Sequence, residues 1–203
     1  MTIALIDYGA GNLQSVKNAL KAAGAMDVAV TADPDIVAKA DRIVLPGVGA
    51  FAHCMSALSA IDGMVAAMEQ RVRGEGIPFL GICVGMQLLA DAGVEHGTTQ
   101  GLGWIGGTVR AIQPAPDIKV PHMGWNDVTL GAPHPVLVSG EAYFLHGYHF
   151  ETTVPENVLA TTYHGSSLTA AVGRNNILGV QFHPEKSQVY GIDTLKRFVE
   201  WVP

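Results

Sequence analysis

A mostly parallel α/β sheet with helices on both faces, joined by β-rich additions from the second half, is the fold class this sequence predicts. Three observations carry it. Through the first hundred residues, short apolar runs alternate with amphipathic segments, the pattern of strands joined by helical crossovers. The runs are almost uniformly apolar, as strands buried on both faces must be. From Trp104 onward, strand-like runs follow one another across Gly, Pro and Asn turns, with no helix until the C-terminus.

In order, Ile3 to Asp7 is the first strand, and Leu13, Val16 and Leu20 mark one face of a helix that Gly24 can stop. Val28 to Val30 is the second strand. Asp33 before Pro34 is an N-cap with a first-turn proline, opening a helix that ends near Asp41. Ile43 to Leu45 is the third strand and breaks into Pro46-Gly47-Val48-Gly49-Ala50-Phe51; the Ala- and Met-rich stretch to Arg73 predicts one or two helices. Phe79 to Ile82 runs as a strand into Cys83, and Met86 to Ala92 reads as a helix. The later strands are Val109 to Ile112, Tyr143 to Phe150, Val158 to Thr162 and Ile177 to Phe182. An amphipathic helix from Ile192 to Val202, with Leu195, Phe198, Val199 and Val202 on one face, closes the chain. No Pro/Ser/Gly-rich linker interrupts the 203 residues, so residues 1–203 are expected to form one domain.

Composition narrows the function. With 48% hydrophobic and 15% charged residues, the chain is too apolar for disorder. A net charge of -6, without a basic run, argues against nucleic acid. The N-terminus lacks the basic start and cleavage site of a secretory signal, and no apolar stretch reaches the roughly 18 residues of a membrane span. Two cysteines are too few for a disulfide framework. The expected location is the cytoplasm.

The sharpest chemical signal is Gly81-Ile82-Cys83-Val84-Gly85, a G-x-C-x-G form of the nucleophile elbow between a strand and a helix. The tight turn leaves no room for side chains two residues either side of the nucleophile, hence the glycines. First-turn N–H groups pointing at the sulfur suit a thiolate, and the Val84 N–H is placed as an oxyanion donor. The nucleophile needs a base. Among eight histidines, His183 stands at the end of an apolar strand and before Pro184, which favours an extended backbone. Residues two apart then point the same way, so Glu185 can reach the His183 ring and orient it. The order nucleophile, His, acid differs from that of α/β-hydrolases.

The Pro46-Gly47-Val48-Gly49 turn could present backbone N–H groups to an anion. No phosphate-binding glycine loop, C-x-x-C or H-E-x-x-H occurs, so the sequence calls for no cofactor and no metal. His146 and His149, three apart in a strand-like run, point to opposite faces.

Together, GICVGMQ (Gly81 to Gln87) and QFHPEKS (Gln181 to Ser187) resemble the class I, triad-type glutamine amidotransferases. IDYGAGN (Ile6 to Asn12), PGVGAF (Pro46 to Phe51) and PHMGWN (Pro121 to Asn126) resemble the histidine-pathway branch of that family, and the blocks span the chain nearly end to end. The resemblance implies a flavodoxin-like fold and hydrolysis of glutamine through a thioester on Cys83, with His183 moving the proton and Glu185 orienting it. It places the oxyanion loop on Gly47 and Val48. It puts the amino-acid end of glutamine against Gly49, Gln87, His146, Gly147 and Tyr148. Many relatives carry a small hydroxyl residue where this chain has Gly147, which leaves only backbone there. It further implies a (β/α)₈-barrel cyclase partner docking at or near Met123, Trp125, Asn126, Tyr143 and Lys186. Read without the resemblance, Trp125 and Tyr143 are equally core aromatics and Lys186 a solvated charge. Another amidotransferase of the same fold, or a catalytically silent binding module, is the alternative.

Overall fold

The computed structural model describes residues 1–114 and 118–203. Five parallel strands form one half of a nine-stranded sheet: β1 (Thr2–Ile6), β2 (Asp27–Thr31), β3 (Arg42–Gly47), β4 (Phe79–Cys83) and β13 (Ile177–Val180), in the order β2-β1-β3-β4-β13. The sheet continues antiparallel from β13 through β12 (Ser167–Arg174), β11 (Val158–Tyr163), β8 (His122–Leu130) and β9 (Gly140–His146). A second sheet orders β10 (Tyr148–Thr152), β7 (Gly107–Ala111), β5 (Ala92–Val94) and β6 (Thr98–Gln100).

β3, β4 and β13 are buried at every residue, so helices and loops cover both of their faces. Helix α1 (Leu13–Ala22) packs with α6 (Gln188–Glu200). A second group joins α2 (Pro34–Val37) and α3 (Phe51–Ser59) to α4 (Met64–Glu69), and α3 also meets α5 (Val84–Gln87). The large side chains Phe51, Phe79, Phe144, Phe182 and Phe198 fill the core between these layers. Among the described residues, no single helix is long and apolar enough to cross a membrane.

Several expectations are corrected by backbone hydrogen bonding. The helix expected at Met86 to Ala92 starts at Val84 and lasts one turn, because the Leu88, Leu89 and Ala90 carbonyls accept N–H groups from residues 102–105 instead of continuing it. The Asp33-capped helix is likewise one turn; Asp33 accepts from the Asp35 N–H at 2.9 Å, but Asp41 already bonds to Thr2. The run Tyr143 to Phe150 is two strands in two sheets, broken at Gly147, whose carbonyl accepts from Ile112. The C-terminal helix spans Gln188–Glu200, and Val202 is exposed while Trp201 is buried in its place. The buried Arg42 guanidinium stops that helix by donating to the carbonyls of Phe198, Val199 and Trp201.

The parallel strands bring three chain segments to one edge: register pairs Gly47 with Cys83 and Ile82 with Val180. The carboxyl ends of such strands are where open α/β sheets place their sites.

Candidate active site

Cys83 ends β4 and starts α5 with φ 55° and ψ -112°, a conformation L residues avoid. A Cβ on Gly81 would lie 2.5 Å from the Gly85 carbonyl oxygen, and one on Gly85 would lie 1.9 Å from the Leu45 oxygen. Both positions therefore require glycine, which is the packing reason for the G-x-C-x-G spacing. Because α5 is one turn long, what its N-terminus can offer an anion is the free N–H groups of that single turn, not a long helix dipole.

Beyond β13, which ends at Val180 rather than the expected Phe182, the chain bends at Gln181 and Phe182 and is extended at His183, whose N–H donates to the Tyr143 carbonyl at 2.9 Å. Glu185 then lies in a short turn, Pro184–Lys186, not in the extended segment anticipated, and still places Oε1 2.8 Å from His183 Nδ1. The two side chains are 4% and 2% exposed, so this charged pair is shielded from water. Burial alone would lower the His183 pKa. Hydrogen bonds to Cys83 and Glu185 and the negative charge of both outweigh it and raise it to about 10.

Two buried amides are hydrogen-bonded to one another beside the sulfur. Gln181, fully buried, directs Nε2 at Cys83 Sγ (3.7 Å) and accepts Gln87 Nε2 at Oε1 (3.0 Å). Gln87 also donates to the Tyr148 carbonyl at 3.1 Å. In the Pro46–Gly49 turn, Tyr8 Oη donates to the Pro46 carbonyl (2.7 Å) and Cys54 Sγ to the Val48 carbonyl (3.3 Å), while Gly49 has φ +96°. Cys54 is thus a buried structural thiol, and burial pushes its pKa up.

A cavity of about 310 Å³ joins these parts. Of the residues singled out in the sequence, Val48, Gly49, Cys83, Val84, Gln87, His146, Gly147, Tyr148, His183, Glu185 and Lys186 line it. Gly47 does not; it packs behind the elbow, where a Cβ would meet Tyr8 Oη at 2.6 Å and the Gly85 nitrogen at 2.8 Å. Met123, Trp125, Asn126 and Tyr143 lie outside it on the β8–β9 pair, where Trp125 is opposite Tyr143 with ring centroids 6.3 Å apart. Trp125 is 47% and Met123 62% exposed, so Trp125 is not a core aromatic; Lys186 Nζ sits 6.0 Å over the Tyr143 ring. Asn12, Glu95, Pro121 and Leu145 also line the cavity without having been singled out. Asn12 and Pro121 end and begin two of the motif blocks, whereas Glu95 carried no sequence signal; its carboxylate accepts from Phe51 N–H at the start of α3 (2.8 Å). Among the described residues, no cluster of three or more His, Cys, Asp or Glu could hold a metal ion.

A thiol on a strained turn beside a buried His–Glu pair, at the mouth of a cavity, is an arrangement that can carry out cysteine-dependent acyl transfer. The chain matches the family model described as Glutamine amidotransferase class-I over residues 4–200, and it belongs to that family. A crystal structure of a glutamine amidotransferase shares the fold, with TM-score 0.77, 19% identity and 98% of each chain covered. At closer range, the chain is 62% identical to "Imidazole glycerol phosphate synthase subunit HisH" of Zymomonas mobilis, covering 100% of this chain and 97% of that one. It is 51% identical to the protein of the same name from Rhodospirillum rubrum, with both chains covered in full.

Proposed function

We propose that this chain is the glutaminase subunit of an imidazole glycerol phosphate synthase. It hydrolyses L-glutamine to glutamate and ammonia and passes the ammonia to a (β/α)₈-barrel cyclase subunit in histidine biosynthesis. The observation that carries the reading is a complete Cys83–His183–Glu185 constellation in a chain 62% identical, over its full length, to a subunit of that name. A silent module would have no need to retain all three groups, and full-length identity to this branch disfavours another synthase of the same fold.

The chemistry follows from the charge distribution. With His183 held charged by the sulfur and Glu185, the ring already carries the proton that the leaving nitrogen needs, and the sulfur attacks as thiolate. Attack on the side-chain amide carbon of glutamine forms a C–S bond and puts negative charge on the amide oxygen. The Val84 N–H, with the Gly47–Val48 turn, is the donor set for that oxygen. The resemblance to the family implies that this turn rearranges before its N–H groups take part; in the arrangement here Tyr8 and Cys54 hold the Pro46 and Val48 carbonyls. His183 then protonates the leaving nitrogen, the C–N bond breaks and ammonia departs. Water, deprotonated by the now neutral His183, cleaves the γ-glutamyl thioester and restores the thiolate–imidazolium pair. Gly49, Gln87 and the His146–Tyr148 segment hold the amino-acid end of the substrate. Ammonia released into water would be protonated and lost as a nucleophile, so the surface of Met123, Trp125, Tyr143 and Lys186, with Asn126 beside it on the inward side of β8, docks the cyclase. The whole of 1–203 acts as one glutaminase domain in the cytoplasm.

The test is glutamate release from glutamine by the purified chain, alone and with a cyclase subunit and that cyclase's nucleotide substrate. Strong stimulation in the complete mixture is expected; no release although the complex forms would overturn the reading.

A further inference from the structure

Three histidines that the triad does not use meet beside the cavity. His122 is buried on β8, its ring stacked between Phe144 (centroids 4.8 Å apart) and His164 (4.2 Å). Its Nδ1 is 2.9 Å from His146 Nε2, and its Nε2 is 3.0 Å from Asn126 Nδ2. His146 Nδ1 is 2.9 Å from the Tyr148 carbonyl oxygen.

These contacts assign every proton. A carbonyl only accepts, so His146 carries its proton on Nδ1; the neutral ring accepts at Nε2, which makes His122 Nδ1 the donor. His122 Nε2 then accepts from Asn126, whose amide also donates to the Tyr163 carbonyl (2.9 Å) and whose Oδ1 accepts the Asp127 N–H (2.8 Å). Burial, with a smaller contribution from His164, pushes His122 down to about 4. Burial also dominates at His146, pushed down to about 3 against the opposing hydrogen bond to Tyr148. Both rings are therefore neutral, as the chain of donors requires. With both nitrogens engaged, the His146 side chain has no polar atom left for the substrate; it supports the cavity wall.

We propose that His122 is a positioning residue for the glutamine pocket: by donating to His146 Nε2 it holds His146 in the Nδ1–H tautomer, and His146 in turn anchors the Gly147–Tyr148 backbone. The need for an anchor lies in the fold. Gly147 is where the chain leaves one sheet for the other, and as a glycine it brings no side chain of its own to fix the peptide. In the opposite tautomer, the lone pair of Nδ1 would face the lone pairs of the Tyr148 oxygen, and the anchor would be lost. The same oxygen receives Gln87, so the anchored peptide also sets the side chain that reaches Gln181 and, through it, Cys83.

The proposal takes its substrate from the glutaminase reading, and its test separates the two. His122→Phe keeps a ring in the stack but removes both hydrogen bonds. In the complex with the cyclase subunit, it should raise KM for glutamine about tenfold, the loss of roughly one hydrogen bond's worth of binding, with kcat within about twofold. His122→Gln, which can both donate and accept, should recover part of the KM. Nitrogen-15 imidazole spectra of the unaltered protein should show His146 as the Nδ1–H tautomer, and His122→Phe should convert it to Nε2–H or a mixture. An Nε2–H tautomer for His146 in the unaltered protein, or an unchanged KM in folded His122→Phe, would overturn the proposal. If His122→Phe does not fold, the tautomer spectrum and His122→Gln decide it. A complex of the unaltered chain that releases no glutamate would defeat the glutaminase reading, while the spectra would still decide the tautomer.

Discussion

Cys83 is 4% exposed and its side chain is small, so Cys83→Ala changes little packing. It should abolish glutamate release while leaving the affinity for the cyclase subunit unchanged; the pair of measurements is turnover and titration of the complex. Glu185→Gln removes the charge that holds His183 protonated. It should lower kcat by on the order of a hundredfold with little change in KM, the pattern of a group that acts in the transition state. The grouping of Cys83 with His183 and Glu185 was legible because crowding at an elbow dictates glycines at fixed spacing and because His183 and Glu185 are neighbours in sequence. Gln181 and His122 were not singled out, since their partners lie 98 and 24 positions away and no spacing rule links them. Glu95 was invisible for the same reason.

Elements were legible where one segment's own pattern decides its fate. The parallel strands announced themselves by apolar runs, and α1 by the face of Leu13, Val16 and Leu20, of which Val16 and Leu20 are buried and Leu13 partly so. The misreadings fall where a distant segment competes for the backbone: residues 102–105 take the carbonyls that would have extended α5, and Ile112 takes the one at Gly147. Strands β8 and β12 went unread because their sequences mix polar and small residues, and only pairing with neighbours fixes them. Arg42 illustrates the same dependence at the end of α6. Arg42→Ala takes the guanidinium from three carbonyls, of which Phe198's keeps the Trp201 N–H while those of Val199 and Trp201 lose the donor seen here. It should destabilise the protein by about 2–4 kcal/mol, measured by denaturant unfolding, with the midpoint lowered and the slope retained.

For the whole molecule, the buried histidines set opposite limits on stability with pH. His122 and His146 stay neutral in the fold but protonate near 6.5 when unfolded, so stability falls as pH drops from about 6.5 towards their folded values of about 4 and about 3. His183 behaves oppositely: its folded value of about 10 gives a contribution fully present below about 6.5 and lost as pH rises through about 10. Calorimetric Tm should therefore decline on both sides of neutrality, and His183→Gln should flatten the alkaline side alone. The fold class and the positions of the parallel strands along the chain could be read from sequence, but not their order across the sheet. The division into two sheets, which puts Gly147 at their junction, could not, because it depends on which edges are left unpaired. The backbone at Cys83 has one more consequence. Glycine ordinarily weakens an ordered position relative to alanine, by roughly 0.5–1 kcal/mol. At φ 55° the order should reverse, because glycine relieves on the order of 1–3 kcal/mol that any side chain stores there. Cys83→Gly should then melt above Cys83→Ala, and the difference between those two inactive proteins would weigh how much durability the molecule gives up to keep a nucleophile in place.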